Sequence, residues 1–289
     1  MELRIIENRK PNAKVTLQGA SGSGKSYTAL LLAYGLCGAW QKIAVIETDY
    51  KAANHYSYFG AFNTLSINAP YTPEKFTDAI ELCERSGIEV IIIDTLSTEW
   101  AGIGGIKDRL VQEGKSCLDG HYSLLQSIQS STCHIIATLR TKEGYNLSIK
   151  GNRREVQKFG LEPIQQEGIQ YYFHTVLSLD MHHRVRSLKD RTSFFEEHGD
   201  VIITEEIAAL FARWCNSQAK EVLPQLQERI NACKSIKELL EVMFQCDVDD
   251  RATVQAFIKR RLELEGHLYE NPIFSLHKNS INGNHNHRA

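Results

Sequence analysis

The chain has 289 residues, 42% of them hydrophobic and 24% charged, with only six prolines. That excludes a disordered, collagen-like or low-complexity protein and leaves room for a sizeable core with an appendage. With 33 Lys and Arg against 35 Asp and Glu the formal net charge is −2, so the chain is no polycation, and any nucleic-acid surface must come from local clustering.

In chain order, the first 180 residues alternate short Val- and Ile-rich runs with helical spacing, the pattern of a mainly parallel sheet covered by helices, an α/β fold. Residues 15–18, 43–48, 89–94, 133–139 and 175–180 read as strands, and 185–188 with 193–196 as an antiparallel edge hairpin. Helices are expected over 26–36, from Thr72-Pro73 with Phe76, Ala79, Ile80 and Cys83 on one face, and through Tyr122, Leu125, Ile128 and Gln129. From residue 204 the strand signal stops, and helices are expected from Thr204 to Trp214, over 235–246 and over 252–265. This predicts an α/β core at 1–203, a helical extension at 204–270 and a disordered polar tail at 271–289, His285 and His287 included. Seven scattered cysteines, no C-x-x-C pair, no secretory leader and no run of about 18 apolar residues predict a cytoplasmic protein with free thiols and no membrane contact.

Gly19-Ala20-Ser21-Gly22-Ser23-Gly24-Lys25-Ser26 satisfies G-x-x-x-x-G-K-[ST] between an apolar strand and an amphipathic helix. Glycines let the backbone turn its N–H groups inward around an anion, and the helix N-terminus adds its positive end. Lys25 is expected on the β- and γ-phosphates and the Ser26 hydroxyl on Mg²⁺, with Tyr27 completing the nucleotide-binding segment. Glu89–Asp94 is a buried-type strand ending in a carboxylate, which predicts Asp94 as the second anchor for the metal. The strand at 43–48 leads into Glu47-Thr48-Asp49. Asp49 is the reading for the group that activates water, with Glu47 as the alternative.

These pieces resemble the RecA-like ATPases, and more closely the phage and mobile-element AAA-family ATPases of that type, some of which act in single-strand annealing or recombination. The resemblance spans roughly residues 12–196 and includes Asp94-Thr95-Leu96-Ser97-Thr98-Glu99-Trp100 and Lys189-Asp190-Arg191-Thr192. It implies a RecA-like P-loop core, ATP and Mg²⁺ as cofactors, and assembly into a ring or filament. In that assembly Lys189 and Arg191 reach a neighbouring copy's γ-phosphate. Two departures stand out: Asp49 is a methylene shorter than the Glu common in RecA, and the fourth strand ends in Thr138-Leu139-Arg140 without RecA's Gln.

Between the fourth and fifth strands, residues 140–168 read as a long loop whose first part carries Arg140, Lys142, Lys150, Arg153, Arg154 and Lys158. The corresponding loops of RecA-like proteins line a DNA channel, so these cations, with Tyr145 and Phe159 for stacking, are expected to contact single-stranded DNA. Gln165 and Gln166 read either as sensors of the γ-phosphate or as surface glutamines, and His182 and His183 as surface histidines. The reading is an ATP-hydrolysing protein acting on single-stranded DNA in phage-type recombination or annealing. The alternative is a nucleotide-dependent switch or scaffold in a replication or defence complex, its protein partner docked on the C-terminal helices.

Overall fold

The computed structural model describes residues 12–150, 153–216, 224–246 and 251–264. The apolar runs become strands because residues buried on both faces need helices above and below them. β1 (Lys14–Gly19), β2 (Ile43–Glu47), β3 (Asn63–Ser66), β4 (Val90–Asp94), β5 (His134–Lys150), β6 (Arg153–Pro163), β7 (Thr175–Leu179), β8 (Arg184–Asp190) and β9 (Val201–Ile202) are the strands. They order as β3-β2-β4-β5-β1-β7-β8-β9, with β6 paired to β5 alone. Pairing is parallel from β3 through β7; β8 and β9 continue the sheet antiparallel. Val90–Ile93 and Ile135–Leu139 are buried along their whole length, which fixes β4 and β5 at the centre of the sheet.

The helices of the core are α1 (Lys25–Cys37), α2 (Pro73–Arg85), α3 (Ser97–Ala101), α4 (Ile106–Glu113), α5 (Leu118–Ser130), α6 (Phe194–His198) and α7 (Glu205–Asn216). In α2, Pro73 takes the first turn after Thr72, where its missing N–H costs nothing. Its buried face of Phe76, Ala79, Ile80 and Cys83 joins Leu124, Leu125 and Ile128 of α5 in one core cluster with β2, β4 and β5. Tyr122, expected on that face, is exposed, and His121 takes the buried position instead.

Three expectations are corrected. Residues 193–196 form no strand: Asp190 accepts hydrogen bonds from the backbone N–H groups of Thr192 and Phe195 and starts α6. Adjacent Phe194 and Phe195 are both buried against Phe211, which strand alternation on an edge would forbid. The described residues 140–150 and 153–163 form no loop: β5 runs on past the sheet and pairs with β6 as an antiparallel ribbon, from Thr141 opposite Pro163 to Lys150 opposite Arg153, with an irregularity at Gly144/Tyr145. The core also does not end at residue 203. The chain divides into Met1–Ala219 with Asp249–Arg251, and Lys220–Val248 with Ala252–Ala289. Helix α7 belongs to the first unit because it packs on α1, so closely that a Cβ on Gly35 would sit 2.6 Å from the Ala208 backbone.

The second unit comprises α8 (Pro224–Ala232), α9 (Ile236–Gln245) and α10 (Arg251–Leu264, its first residue grouped with the core). Among the described residues Ile230, Cys233, Leu239, Met243, Thr253, Val254, Phe257 and Ile258 are buried in it. Ser235 caps α9 by accepting from the Glu238 N–H, while the Glu238 carboxylate accepts from the Lys234 N–H, a reciprocal closure of the helix start. The tail at 271–289 lies outside the described residues. Among the described residues no helix is long and apolar enough to cross a membrane, and the seven cysteines form no disulfide.

Candidate nucleotide-binding site

Strand β1 ends at Gly19 and α1 begins at Lys25, so the turn between them lies at the carboxyl edge of the sheet, against a helix N-terminus. Gly22 and Gly24 hold φ at 82° and 90°, the left-handed region that glycine enters at little cost. A Cβ on Gly24 would also meet the ring of His183 at 2.9 Å. His183 is exposed, as His182 is, and its ring lies against this turn with Nδ1 3.1 Å from the Ser23 carbonyl. The Lys25 ammonium donates to the carbonyls of Gly19 and Ala20 at 3.0 and 2.7 Å, curled over the turn. Burial lowers the Lys25 pKa; the Asp94 charge opposes that, and the Arg140 charge adds to it.

Asp94 ends β4, with one strand, β5, separating it from β1. Its Oδ2 accepts from the Ser26 hydroxyl at 2.6 Å, and its Oδ1 from the Thr138 hydroxyl on β5 at 2.6 Å. Both carboxylate oxygens are thereby aimed. A cavity of about 590 Å³ opens here, lined among others by Gly22, Gly24, Lys25, Ser26, Asp49 and Asp94. Gly19, Ala20, Ser23 and Tyr27 lie outside that lining; the Ser23 hydroxyl is buried with no partner among the described residues, and the Tyr27 ring packs on Phe59 at 5.1 Å. Among the described residues no cluster of three or more His, Cys, Asp or Glu side chains could hold a metal by itself. A hydroxyl beside one carboxylate fits a Mg²⁺ that takes its other ligands from phosphate oxygens and water.

The two acidic candidates, Glu47 at the end of β2 and Asp49 two residues beyond it, separate clearly. Glu47 is buried, with Oε1 accepting from Ser66 at 2.8 Å and Oε2 from the Ala53 N–H at 3.0 Å. It therefore holds the 3₁₀ turn Ala52–Tyr56 in place and does not line the cavity. Asp49 does line it, paired with Arg140. The turn that Glu47 anchors brings His55 and Tyr56 to the cavity, residues with no motif to reveal them. Burial raises the Tyr56 pKa; a hydrogen bond to Ser26 opposes that, and the Asp94 charge adds to it. Thr138, also not anticipated, did leave a signal: it is a hydroxyl in an otherwise apolar strand run.

The remaining candidates are spread out. Arg140 lies in the nucleotide cavity, whereas Lys142 is exposed on the ribbon. Lys150, Arg153, Arg154 and Lys158 hold register positions on the ribbon; their side chains, like those of Tyr145 and Phe159, lie outside the described part of the structure. Gln165 is neither at the surface nor in the cavity. It is buried, donating to the Leu96 carbonyl and to Glu99, whose other oxygen meets Nδ1 of buried His121 at 2.8 Å. Gln166 donates to the Tyr122 hydroxyl. Lys189 donates to the Gln170 and Phe173 carbonyls, both at 2.7 Å, while the Arg191 side chain is exposed. Asp190 pairs opposite Thr175, itself level with Val15, so Lys189 and Arg191 sit at the far end of the sheet, roughly 13 Å along the strand from Gly19.

An anion cradle of peptide N–H groups and a lysine, facing an oriented carboxylate at the edge of a parallel sheet, defines a P-loop nucleotide-binding protein. The chain matches the AAA domain family over residues 11–213 and belongs to it. No curated protein matches the chain significantly.

Proposed function

We propose that the protein is a Mg²⁺-dependent ATPase of the RecA-like kind that works as an assembly of copies on single-stranded DNA. The observation that carries the ATPase reading is the 2.6 Å contact between Ser26 and Asp94 beside Lys25, which brings the two predicted metal anchors and the phosphate-binding lysine into one cavity. Phosphoryl transfer asks a protein chiefly for positioning and charge neutralisation. The turn at 19–26 binds the phosphates, Lys25 offsets their charge, and Ser26 and Asp94 hold Mg²⁺, which when bound neutralises the phosphate oxygens. Asp49 is the cavity carboxylate free of the sheet's own hydrogen bonds, which favours it over Glu47 for orienting and deprotonating water. Within one chain Lys189 and Arg191 lie too far from the loop to help, so their contribution comes from a neighbouring copy. Arg191 carries most of it, because the Lys189 ammonium is already engaged.

The single-stranded DNA reading, in the manner of phage annealing or recombination ATPases, is supported by the five cations Lys142, Lys150, Arg153, Arg154 and Lys158 against two acids between residues 141 and 160, now carried on a two-stranded ribbon rooted beside the nucleotide cavity. The test is Mg²⁺-dependent ATP hydrolysis with and without a single-stranded oligonucleotide. Lys25→Ala should abolish turnover, and the oligonucleotide should raise the wild-type rate. Hydrolysis indifferent to DNA would favour a nucleotide-dependent switch with a protein partner, and hydrolysis undiminished in Lys25→Ala would overturn the assignment of the cavity.

A further inference from the structure

Arg140 belongs to two structures at once. Its guanidinium meets both oxygens of Asp49, at 2.8 and 2.7 Å, on the wall of the nucleotide cavity. Its backbone begins the ribbon: the Arg140 N–H donates to the Ser97 hydroxyl at 2.9 Å, three residues past Asp94, and its carbonyl accepts from the Ile164 N–H at 2.7 Å, closing the ribbon's base. The Asp49 pair is open to solvent, with side-chain exposures of 46% and 60%, so water screens it and it is held weakly. The cavity also contains Lys25, whose charge Arg140 opposes. Two cations facing one cavity, one of them satisfied by a single carboxylate, make a site whose repulsion a more highly charged anion would relieve.

We propose that Arg140 is a latch for the terminal phosphate: it pairs with Asp49 until a nucleoside triphosphate enters, then transfers to the γ-phosphate and leaves Asp49 free. The inference rests on the ATPase reading and deepens it. Asp49 engages a single guanidinium nitrogen, Nη2, whereas a phosphate can accept from two N–H groups of the fork at once, and with its greater charge it competes well for the side chain. A diphosphate offers no such group, so Arg140 stays on Asp49. The free carboxylate appears only when there is a bond to break, and the residue that moves is the one that ties the ribbon to the helix after Asp94.

The test is equilibrium binding, not turnover. ADP and a nonhydrolysable ATP analogue are titrated with Mg²⁺ into wild type, Arg140→Ala, Asp49→Ala and the double variant, the ADP affinity serving as the fold control. Arg140→Ala should lower the preference for the analogue over ADP about tenfold or more, the loss of one charge-assisted contact. Asp49→Ala should raise it about two- to fivefold by removing the competitor, and the double variant should resemble Arg140→Ala. An unchanged preference in Arg140→Ala overturns the latch. If that variant also loses ADP, Asp49→Ala decides, and a preference that does not rise overturns it. Wild type binding neither nucleotide would instead defeat the ATPase reading, and the latch with it.

Discussion

At Asp94 each oxygen accepts one short hydrogen bond, from Ser26 and from Thr138, so the side chain has no spare rotamer to sample. Asp94→Asn keeps the shape but turns one acceptor into a donor facing a hydroxyl and a metal. Turnover should fall by about 10²-fold or more, with ADP still bound through the loop; near-normal hydrolysis would remove Asp94 from the metal's coordination. His134 illustrates a different residue effect. Its Nδ1 accepts from the Ala13 N–H at 2.9 Å, and burial first, then the nearby Lys14 charge, lower its pKa to about 4. Because that lies below the unfolded value of about 6.5, the unfolded chain binds the extra proton. Stability from this residue is complete above about pH 6.5 and is lost as pH falls toward 4. The expected loss is on the order of 2 kcal/mol, and denaturant melts across that window should be flatter for His134→Asn, whose side-chain oxygen still accepts. The loop, Lys25, Ser26 and Asp94 were legible in the sequence because their chemistry is tied to a fixed local pattern. Glu47, Tyr56 and Arg140 were not, because their roles depend on which neighbours the sheet order supplies. Two carboxylates only two residues apart ended as a buried brace and a cavity wall.

At the scale of elements, parallel strands and amphipathic helices were read well, since burial on both faces or on one stripe imposes a period that composition displays. The failures have local causes. Alternating Tyr145, Leu147 and Ile149, with Gly151-Asn152 before Arg153, is a hairpin signature that the density of charge obscured. The pair Phe194-Phe195 carries β propensity but is buried as a short helix, because Asp190 captures the backbone first. The boundary at 203 failed because nothing in α7 announces its partner; that information is in α1, at Gly35. Gly35→Ala would gain helix propensity yet force apart two helices in contact. A net loss of about 1–2 kcal/mol is expected, seen as a melting temperature several degrees lower. An unchanged melting temperature would mean that α7 can shift on α1 without cost.

For the whole molecule, the proposed division of labour between copies makes a mixing test decisive. Lys25→Ala lacks a working site but keeps Arg191, and Arg191→Ala has the reverse defect. Each alone should be inactive, while an equal mixture should recover roughly a quarter of wild-type turnover from the junctions that join an intact site to an intact arginine. No recovery, or full activity in Arg191→Ala alone, would rule out help from a neighbour. Binding of a fluorescent single-stranded oligonucleotide should weaken steeply with salt, and more gently once Lys142, Lys150, Arg153, Arg154 and Lys158 are neutralised.

The antiparallel turn from β7 into β8 carries the Lys189–Arg191 segment to the opposite end of the sheet from the phosphate-binding turn, which in the proposed assembly would give each copy a donor pole and an acceptor pole. Such a body would stack head to tail, and every open stack would end in one copy whose acceptor pole meets no donor. Specific activity in an open stack would therefore climb gradually with stack length, while closure into a ring would abolish the idle end and make the climb a step. The shape of rate against protein concentration would tell the two architectures apart without an image of either.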